Sequence, residues 1–230
     1  MNPVLFVTGT DTGVGKTVAT AALVVARRAA GGSPYVVKPA QTGVGSDDPT
    51  DLDEVRRLAG PVPGHEGVRL EAPLAPDTAA RLEGVALPGL LEQRDRIALA
   101  ATDGHDVLVE GAGGVLVFLG EHWNLLDLAQ SVAYVGVPVG FVVVAGAGLG
   151  TLNHSALTVQ AIQQRGLHVH GLIIGSWPAE PDLAATQNLL DLPPLTGVPV
   201  LGRIPEGAGR LTAADFATGA REWLALLPSD

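Results

Sequence analysis

A glycine-rich segment near the start of the chain, VTGTDTGVGKT from Val7 to Thr17, constrains the fold more than any other feature. It follows a short apolar run and precedes a helical pattern, the setting in which backbone N–H groups and a helix N-terminus together bind phosphate. In such a loop Lys16 is expected to lie along the β- and γ-phosphates, and the Thr17 hydroxyl is expected to coordinate magnesium. Strict GxxxxGK[ST] spacing is not met, because Thr10 occupies the first glycine position and Gly9 is one residue early. We therefore predict a variant phosphate-binding loop.

Short β-branched runs alternate with longer helical patterns along the chain. This predicts an α/β fold, a doubly wound, mostly parallel sheet of P-loop NTPase type with helices on both faces. The predicted strands are Val4–Thr8, Tyr35–Lys38, Asp106–Glu110, Val139–Val144, Val169–Ile174 and Val198–Ile204. The predicted helices are Lys16–Ala29, Leu52–Ala59, Pro88–Ala101, Leu125–Tyr134, Leu152–Arg165, Leu183–Leu190 and Ala213–Leu227.

The length of 230 residues suits one domain, residues 1–230. Residues 60–87 are rich in proline and glycine and show weak periodicity. We predict that they form a long excursion over the carboxyl edge of the sheet, at the active site, with a disordered linker as the alternative.

The chain carries 14 basic and 24 acidic residues, a formal net charge of −10, and no cysteine. A field of that sign repels nucleic acid and anionic membranes, so neither is expected as a partner. The N-terminus lacks the basic and long apolar regions of a signal peptide. The apolar stretch from Val135 to Gly148 is too short and too broken to span a membrane. We therefore predict a soluble, cytoplasmic protein.

Lysine is scarce, since the basic residues are arginines except for Lys16 and Lys38. Lys38 lies in VVKPAQTG, where Pro39 favours an extended conformation at Lys38 and is predicted to end the strand. The carboxyl ends of parallel strands meet at one edge of a sheet, so Lys38 is expected near the γ-phosphate, with Thr42 close by. A solvated lysine at a strand end is the alternative.

Two carboxylates are candidate magnesium ligands. Glu110 ends the apolar strand DVLVE at the Walker B position, where a bound cation would offset the cost of burying its charge. Asp51 is the candidate in the acidic run DDPTDLDE, with Asp53 as its nearest rival. Acids also favour a helix N-terminus, so this run has a purely structural explanation as well.

Three other classes of P-loop protein each need a residue or motif that this chain lacks. Partition ATPases of the MinD type, switches that act through protein partners, share the GVGKT ending but carry a signature lysine where Asp11 stands. Guanine-specific switches need an NKxD motif, which neither lysine provides. Amidotransferase ligases of the cobyrinate group need a nucleophilic cysteine. The MinD-like switch is the alternative that we retain.

Four motifs occur in order: GTDTGVGKT, KPAQTG, VEGAGG and GTLNHSALT. Together they resemble the dethiobiotin synthetase family over nearly the whole chain, to about Glu206. The resemblance implies a homodimeric, Mg²⁺- and ATP-dependent cyclo-ligase of biotin biosynthesis that acts on 7,8-diaminononanoate and CO2. It implies that a carbamate forms, attacks the γ-phosphoryl group to give a carbamic–phosphoric anhydride, and closes to the ureido ring of dethiobiotin with release of ADP and phosphate.

The same resemblance assigns residues to roles. It implies catalytic roles for Lys16 and Lys38, and magnesium binding by Thr17, Asp51 and Glu110. The substrate-binding residues that it implies are Thr12, Lys38 and Thr42, with Gly150, Thr151 and Asn153 reaching the substrate across the dimer interface. The nucleotide-binding residues that it implies are Thr12, Gly13, Val14, Gly15, Lys16, Thr17, Val18, Glu110, Gly111, Ala112, Gly113, Gly175, Ser176, Arg203, Ile204 and Pro205.

The chain departs from the family pattern at two places. Gly13 stands where some members carry glutamate, so any role of that acid is absent. Gly175-Ser176 stands where the family has an asparagine that contacts the base. We therefore expect loose discrimination between bases, with other triphosphates such as CTP accepted. Asn153 also has an alternative interpretation, as a helix cap.

Overall fold

The computed structural model describes residues 3–224. These form a seven-stranded sheet in the order β3-β2-β4-β1-β7-β8-β9, parallel at every pairing, and a separate two-stranded β5–β6 hairpin. The strands are β1 Val4–Gly9, β2 Pro34–Thr42, β3 Gly64–Leu70, β4 Asp106–Gly114, β5 Phe118–Gly120, β6 Trp123–Asn124, β7 Val139–Ala145, β8 Val169–Trp177 and β9 Val200–Pro205.

Helices cover both faces of the sheet. They are α1 Lys16–Ala29, α2 Asp51–Ala59, α3 Pro76–Glu83, α4 Leu90–Thr102, α5 Leu125–Tyr134, α6 Thr151–Gln164, α7 Leu183–Thr196 and α8 Ala213–Trp223. Helices α1, α2 and α8 bury one apolar core, while α4, α5, α6 and α7 bury the other. The predicted doubly wound α/β fold is confirmed. Within residues 3–224, no helix is long and apolar enough to cross a membrane.

The predicted strands and helices include none within residues 60–87, but the structure has one strand and one helix there. Strand β3 pairs in parallel with β2, from Val36 opposite Gly64 to Thr42 opposite Leu70, and α3 follows it. As an edge strand, β3 buries little apolar surface, so it lacks the pattern of a core strand. Gly67 has a packing reason, because a Cβ there would overlap the Pro39 carbonyl oxygen of β2.

Three prolines lie inside elements that continue past them. Strand β2 continues through Pro39 to Thr42, because its pairing with β4 ends at Val37 and no β4 partner needs the missing N–H. Helix α7 contains Pro193 and Pro194 and runs to Thr196, whereas Leu190 was its predicted end. The final part of the predicted last helix, to Leu227, lies outside the described residues.

Candidate active site

Strand register brings the two scarce lysines and Glu110 to one edge of the sheet. Val37 of β2 is paired with Val109 of β4, so the next residues, Lys38 and Glu110, are neighbours. Glu110 is in turn paired with Val7 of β1, which leads directly into the glycine-rich loop. Three strands therefore place their carboxyl ends around one point.

A cleft of about 370 Å³ opens at this point. Most of the sequence-predicted phosphate, metal and diamine residues share its wall. Its lining residues are Thr12, Gly13, Gly15, Lys16, Thr17, Val18, Lys38, Ala40, Gln41, Thr42, Asp51, Glu110, Ala112 and Gly113.

Lys38 links both candidate metal acids. Its Nζ lies 2.5 Å from Asp51 Oδ2 and 2.9 Å from Glu110 Oε1, and it donates a third hydrogen bond of 3.0 Å to the Gly111 carbonyl. All three ammonium hydrogens thus have acceptors. Lys38 is only 3% exposed and Glu110 only 1%, which excludes the alternative of a solvated lysine.

Burial and charge act in opposite directions on these groups. Burial favours neutral Lys38, but the carboxylates of Glu110 and Asp51 outweigh it and hold the pKa of Lys38 above its ordinary value. Burial likewise favours protonated Asp51, but Lys38 outweighs it and lowers the pKa of Asp51. The network therefore keeps both an ammonium and a carboxylate charged at neutral pH.

The glycine-rich loop carries the second ammonium. Lys16 Nζ donates to the Asp11 carbonyl at 2.9 Å, and Thr17 Oγ1 donates to Glu110 Oε1 at 3.0 Å. Burial, followed by the charge of Lys38, lowers the pKa of Lys16. Gly15 has φ 94° and precedes α1 without any side-chain cap, so the first amides of the helix point to the cleft without a side-chain acceptor.

Gly175 packs against the back of the glycine-rich loop. A Cβ at Gly175 would overlap the Val14 carbonyl oxygen and lie 2.6 Å from Val144 Cγ1. A Cβ at Gly15 would similarly lie 2.6 Å from the Gly175 carbonyl oxygen. This close approach explains glycine at position 175, and it places the end of β8 directly behind the loop that is expected to bind phosphate.

Gly175→Ala is expected to weaken nucleotide binding about tenfold, because overpacking at this contact costs on the order of 1–3 kcal/mol and must displace the loop. Titration with a fluorescent nucleotide would measure the change in Kd. Gly146→Ala is the matched control, since a Cβ at Gly146 would meet nothing within 4 Å. Equal nucleotide affinity in both variants would contradict this role of Gly175.

The structure gives Asp51 and Asp53 different contacts. Asp53 accepts hydrogen bonds from the Thr50 backbone N–H and hydroxyl, and Thr50 in turn caps α2 by accepting from the Asp53 N–H. The hydrogen bond from the Thr50 backbone N–H to the Asp53 carboxylate is the main reason for the lowered pKa of Asp53. Asp53 is therefore a capping residue, while the Asp51 carboxylate faces Lys38 in the cleft.

Gln41 lines the same cleft and was not singled out from the sequence. Its Oε1 accepts a hydrogen bond from the Asp51 backbone N–H at 3.0 Å. The glutamine lies within the KPAQTG motif, but no spacing rule connects it to an acid ten residues later.

The turn that begins α6 does not line the Lys38 cleft. Thr151 borders a second cleft of about 540 Å³, which also contacts residues 10–14 and 146–149. Asn153 is exposed and lies within the first turn, so its interpretation as a cap is wrong. The N-cap is Gly150 with φ 90°, and the Thr151 hydroxyl donates to the Gly146 carbonyl at 2.7 Å.

The other residues predicted to bind nucleotide are spread over the ends of β8 and β9. Ser176 borders the second cleft. The Arg203 guanidinium lies over the Trp177 ring, 4.9 Å from its centroid. Ile204 is fully buried in the core under α1, so only its main chain is available to a nucleotide. Pro205 is exposed.

The donor set of the cleft fits a hard divalent cation. Asp51, Glu110 and Thr17 present oxygen atoms around one point, and Mg²⁺ usually takes only one or two carboxylates together with phosphate oxygens. In the part of the chain that the structure describes, there is no group of three or more His, Cys, Asp or Glu side chains that could hold a metal. A protein-only metal cage is thus absent there, and a site completed by nucleotide is the kind that these residues suit.

Comparison with known proteins identifies the family. A family model described as an AAA domain matches residues 4–209. The chain is 53% identical over 222 residues to the ATP-dependent dethiobiotin synthetase BioD of Rhodococcus jostii, covering 96% of this chain and 94% of that protein. The chain belongs to the dethiobiotin synthetase family. The Streptomyces coelicolor member of the family is 49% identical, covering 97% of this chain and 92% of that protein.

Solved structures support the fold alone. Chloroplast FtsY from Physcomitrella patens matches with a TM-score of 0.56 and 16% identity, covering 96% of this chain and 65% of that chain. The MinC:MinD complex of Aquifex aeolicus matches with a TM-score of 0.55 and 15% identity, covering 95% and 86%. The fold is therefore shared with these proteins, whereas sequence similarity at the level of 46–53% identity connects the chain to dethiobiotin synthetases.

Proposed function

We propose that this chain is an ATP-dependent cyclo-ligase that converts 7,8-diaminononanoate and CO2 into dethiobiotin, with release of ADP and phosphate, in biotin biosynthesis. One observation carries the proposal beyond family membership. Two ammonium groups and two carboxylates surround a single cleft at the end of the glycine-rich loop. A MinD-like switch is the weaker candidate, because Asp11 stands at the position of the signature lysine.

The reaction joins two anions. One substrate amine attacks CO2 and loses a proton to give a carbamate, whose oxygen attacks the γ-phosphorus as ADP leaves. The second amine then attacks the carbonyl carbon of the mixed anhydride, and phosphate leaves as the ureido ring closes. Both amines belong to one molecule, so positioning contributes much of the rate.

Lys38 and Lys16 offset the repulsion between carbamate and triphosphate. Lys16 lies on the glycine-rich loop beside the expected β- and γ-phosphates, and Lys38 lies on β2 opposite it. Thr12 and Thr42 line the same cleft and offer hydroxyls to the diamine or the carbamate. Because Lys38 is already bound by three acceptors, substrate must compete for one of its hydrogens.

Thr17, Asp51 and Glu110 are the residues that would hold Mg²⁺. When bound, the cation neutralises charge on the phosphate oxygens. The protein's own part is to keep Asp51 ionised, since its ion pair with Lys38 lowers the Asp51 pKa, and to orient the Thr17 hydroxyl through Glu110. Conversion in the cytoplasm is proposed as well, since the chain has no cysteine to form disulfides.

One assay tests the reaction. The protein is incubated with 7,8-diaminononanoate, bicarbonate, Mg²⁺ and ATP, and the ureido product and phosphate are measured together. Equal amounts of the two are expected, and neither should form when the diamine is omitted. Phosphate release that is independent of the diamine would instead favour an ATPase switch.

Base selectivity is expected to be loose. Gly175 is packed against the loop and has no side chain to contact a base, and Ser176 lies on the border of the neighbouring cleft. We expect dethiobiotin formation with CTP as well as ATP, with kcat/KM values within about tenfold, because no buried polar group in this position is left unpaired by the wrong base. Turnover with ATP, CTP and GTP side by side measures this, and activity with ATP alone would contradict it.

A homodimer would bring the turn at Gly150–Asn153 of one copy to the substrate of the other. Within one chain this turn does not line the Lys38 cleft. Apolar side chains are exposed beside it, with Leu149 91% exposed and Leu116 and Leu157, which border one shallow groove, 60% and 57% exposed. Their burial by a second copy would remove exposed apolar surface from water.

Leu157→Glu is expected to convert the dimer to monomer and to raise the KM for 7,8-diaminononanoate at least tenfold, because a charge would be buried in the contact. Sedimentation velocity and steady-state kinetics measure the two effects. Leu99→Glu on α4, at an apolar side chain that is 63% exposed, is the matched control. A monomeric unaltered protein with full activity would rule out the shared site.

A further inference from the structure

We infer that Gln41 is a positioning residue that fixes the Asp51 carboxylate for metal binding, a role that rests on the proposed nucleotide and Mg²⁺ site. Asp51 is the first residue of α2 and follows a loop whose residues 46–49 are exposed. A direct hydrogen bond joins β2 to the backbone at the start of α2.

The Gln41 side chain is this link. Its Oε1 accepts from the Asp51 backbone N–H at 3.0 Å, while its Nε2 donates to the Thr42 carbonyl at 3.2 Å. Only one orientation of the amide satisfies both bonds, because a flipped amide would set N–H against N–H. The two hydrogen bonds therefore lock the side chain, and with it the backbone of Asp51.

Burial makes the link difficult to replace. Gln41 is 5% exposed, so water has little access to the Asp51 N–H once the glutamine amide is removed. The locked backbone carries the carboxylate that lies 2.5 Å from Lys38 Nζ, and Lys38 also contacts Glu110. Within residues 3–224, the Gln41 side chain makes no hydrogen bond to Lys38 or Glu110. Its effect on the site therefore passes through Asp51.

The same contacts tie the metal acid to the substrate side of the cleft. Thr42, whose carbonyl receives the second hydrogen bond, is the residue expected to meet the diamine or carbamate. Displacing Gln41 would thus loosen one acid and one substrate residue together. Partners in this outer shell typically change metal affinity by about 10–100-fold when they are lost.

Gln41→Met preserves the size of the side chain and removes both hydrogen bonds. With the full chain and a non-hydrolysable ATP analogue, we expect the Kd for Mn²⁺, followed by electron paramagnetic resonance, to rise about tenfold. Thr50→Ala is the matched control, because it removes the side-chain cap of α2 and leaves Gln41 in place. It should lower Tm by about 2–4 °C and leave the Mn²⁺ Kd unchanged.

A double-mutant comparison tests whether the effect passes through Asp51. In an Asp51→Asn background, adding Gln41→Met should change the Mn²⁺ Kd by less than twofold. An unchanged tenfold effect in that background would overturn the inference, as would equal loss of metal affinity in Thr50→Ala. If Gln41→Met does not fold, Gln41→Asn, whose amide is one methylene too short, gives the same comparison.

These measurements contain no diaminononanoate, so they do not depend on the reaction. If Gln41 and Asp51 are coupled in Mn²⁺ binding but the protein forms no ureido product, the proposed activity is wrong and the role of Gln41 stands. If the product forms but the two residues are not coupled, the proposed activity stands and the role of Gln41 is wrong. Absence of Mn²⁺ binding by the unaltered protein would overturn the role of Gln41.

Discussion

Lys38→Ala is expected to lower the rate of dethiobiotin formation by about 10²–10³-fold, the usual cost of losing one group that stabilises developing charge in a closed site. Nucleotide binding should remain close to normal, because Lys16 and the backbone amides of the glycine-rich loop lie on a different element. Single-turnover kinetics and nucleotide titration separate the two quantities.

The control for Lys38→Ala is Arg56→Ala. Arg56 belongs to the same helix as Asp51 but forms an exposed ion pair with Asp53, so its loss should change the rate by less than twofold. A Lys38→Ala variant with normal turnover would show that the ammonium serves only to pair the two acids. Loss of nucleotide binding in that variant would place Lys38 in the triphosphate site instead.

Glu110→Ala is expected to destabilise the protein by about 3 kcal/mol, because removing one member of a buried ionic network leaves its partners without compensation. Glu110 is 1% exposed and accepts from both Thr17 and Lys38. Urea unfolding would measure the loss. Glu110→Gln retains an acceptor and the shape of the side chain, so it should lose less stability than the alanine variant.

The matched control is Glu54→Ala, which removes an exposed carboxylate paired with Arg57. Surface pairs of this kind contribute about 0–1 kcal/mol. If Glu110→Ala were no more destabilising than Glu54→Ala, the network would contribute nothing measurable to stability, and its charged groups would serve chemistry alone.

Local sequence predicted the parts of this site that depend on neighbours in the chain. The glycine-rich loop between β1 and α1 and the acid after an apolar strand are read from periodicity and turn chemistry alone. Lys38 was found because the chain has only one other lysine, Lys16. Strand β3 was missed, since an edge strand with Gly64 and Gly67 has neither the buried run nor the strict alternation that marks a strand.

Stop signals at proline were overestimated for a related reason. Pro39 removes a backbone donor, and the local rule therefore ends the strand there. Whether that donor was needed depends on the neighbouring strand or turn. Pairing between β2 and β4 had already ended at Val37, so Pro39 cost the sheet nothing.

The sequence by itself determined the fold class, the position of the glycine-rich loop and the candidate site residues, because each depends on residue type and short-range spacing. Only the tertiary structure decided that Asp51 faces Lys38 while Asp53 caps the helix, and that Gln41 accepts a hydrogen bond from the Asp51 N–H. The reason is geometric, since strand register and the position where α2 begins bring together residues 10 to 72 positions apart. No local pattern encodes such a distance.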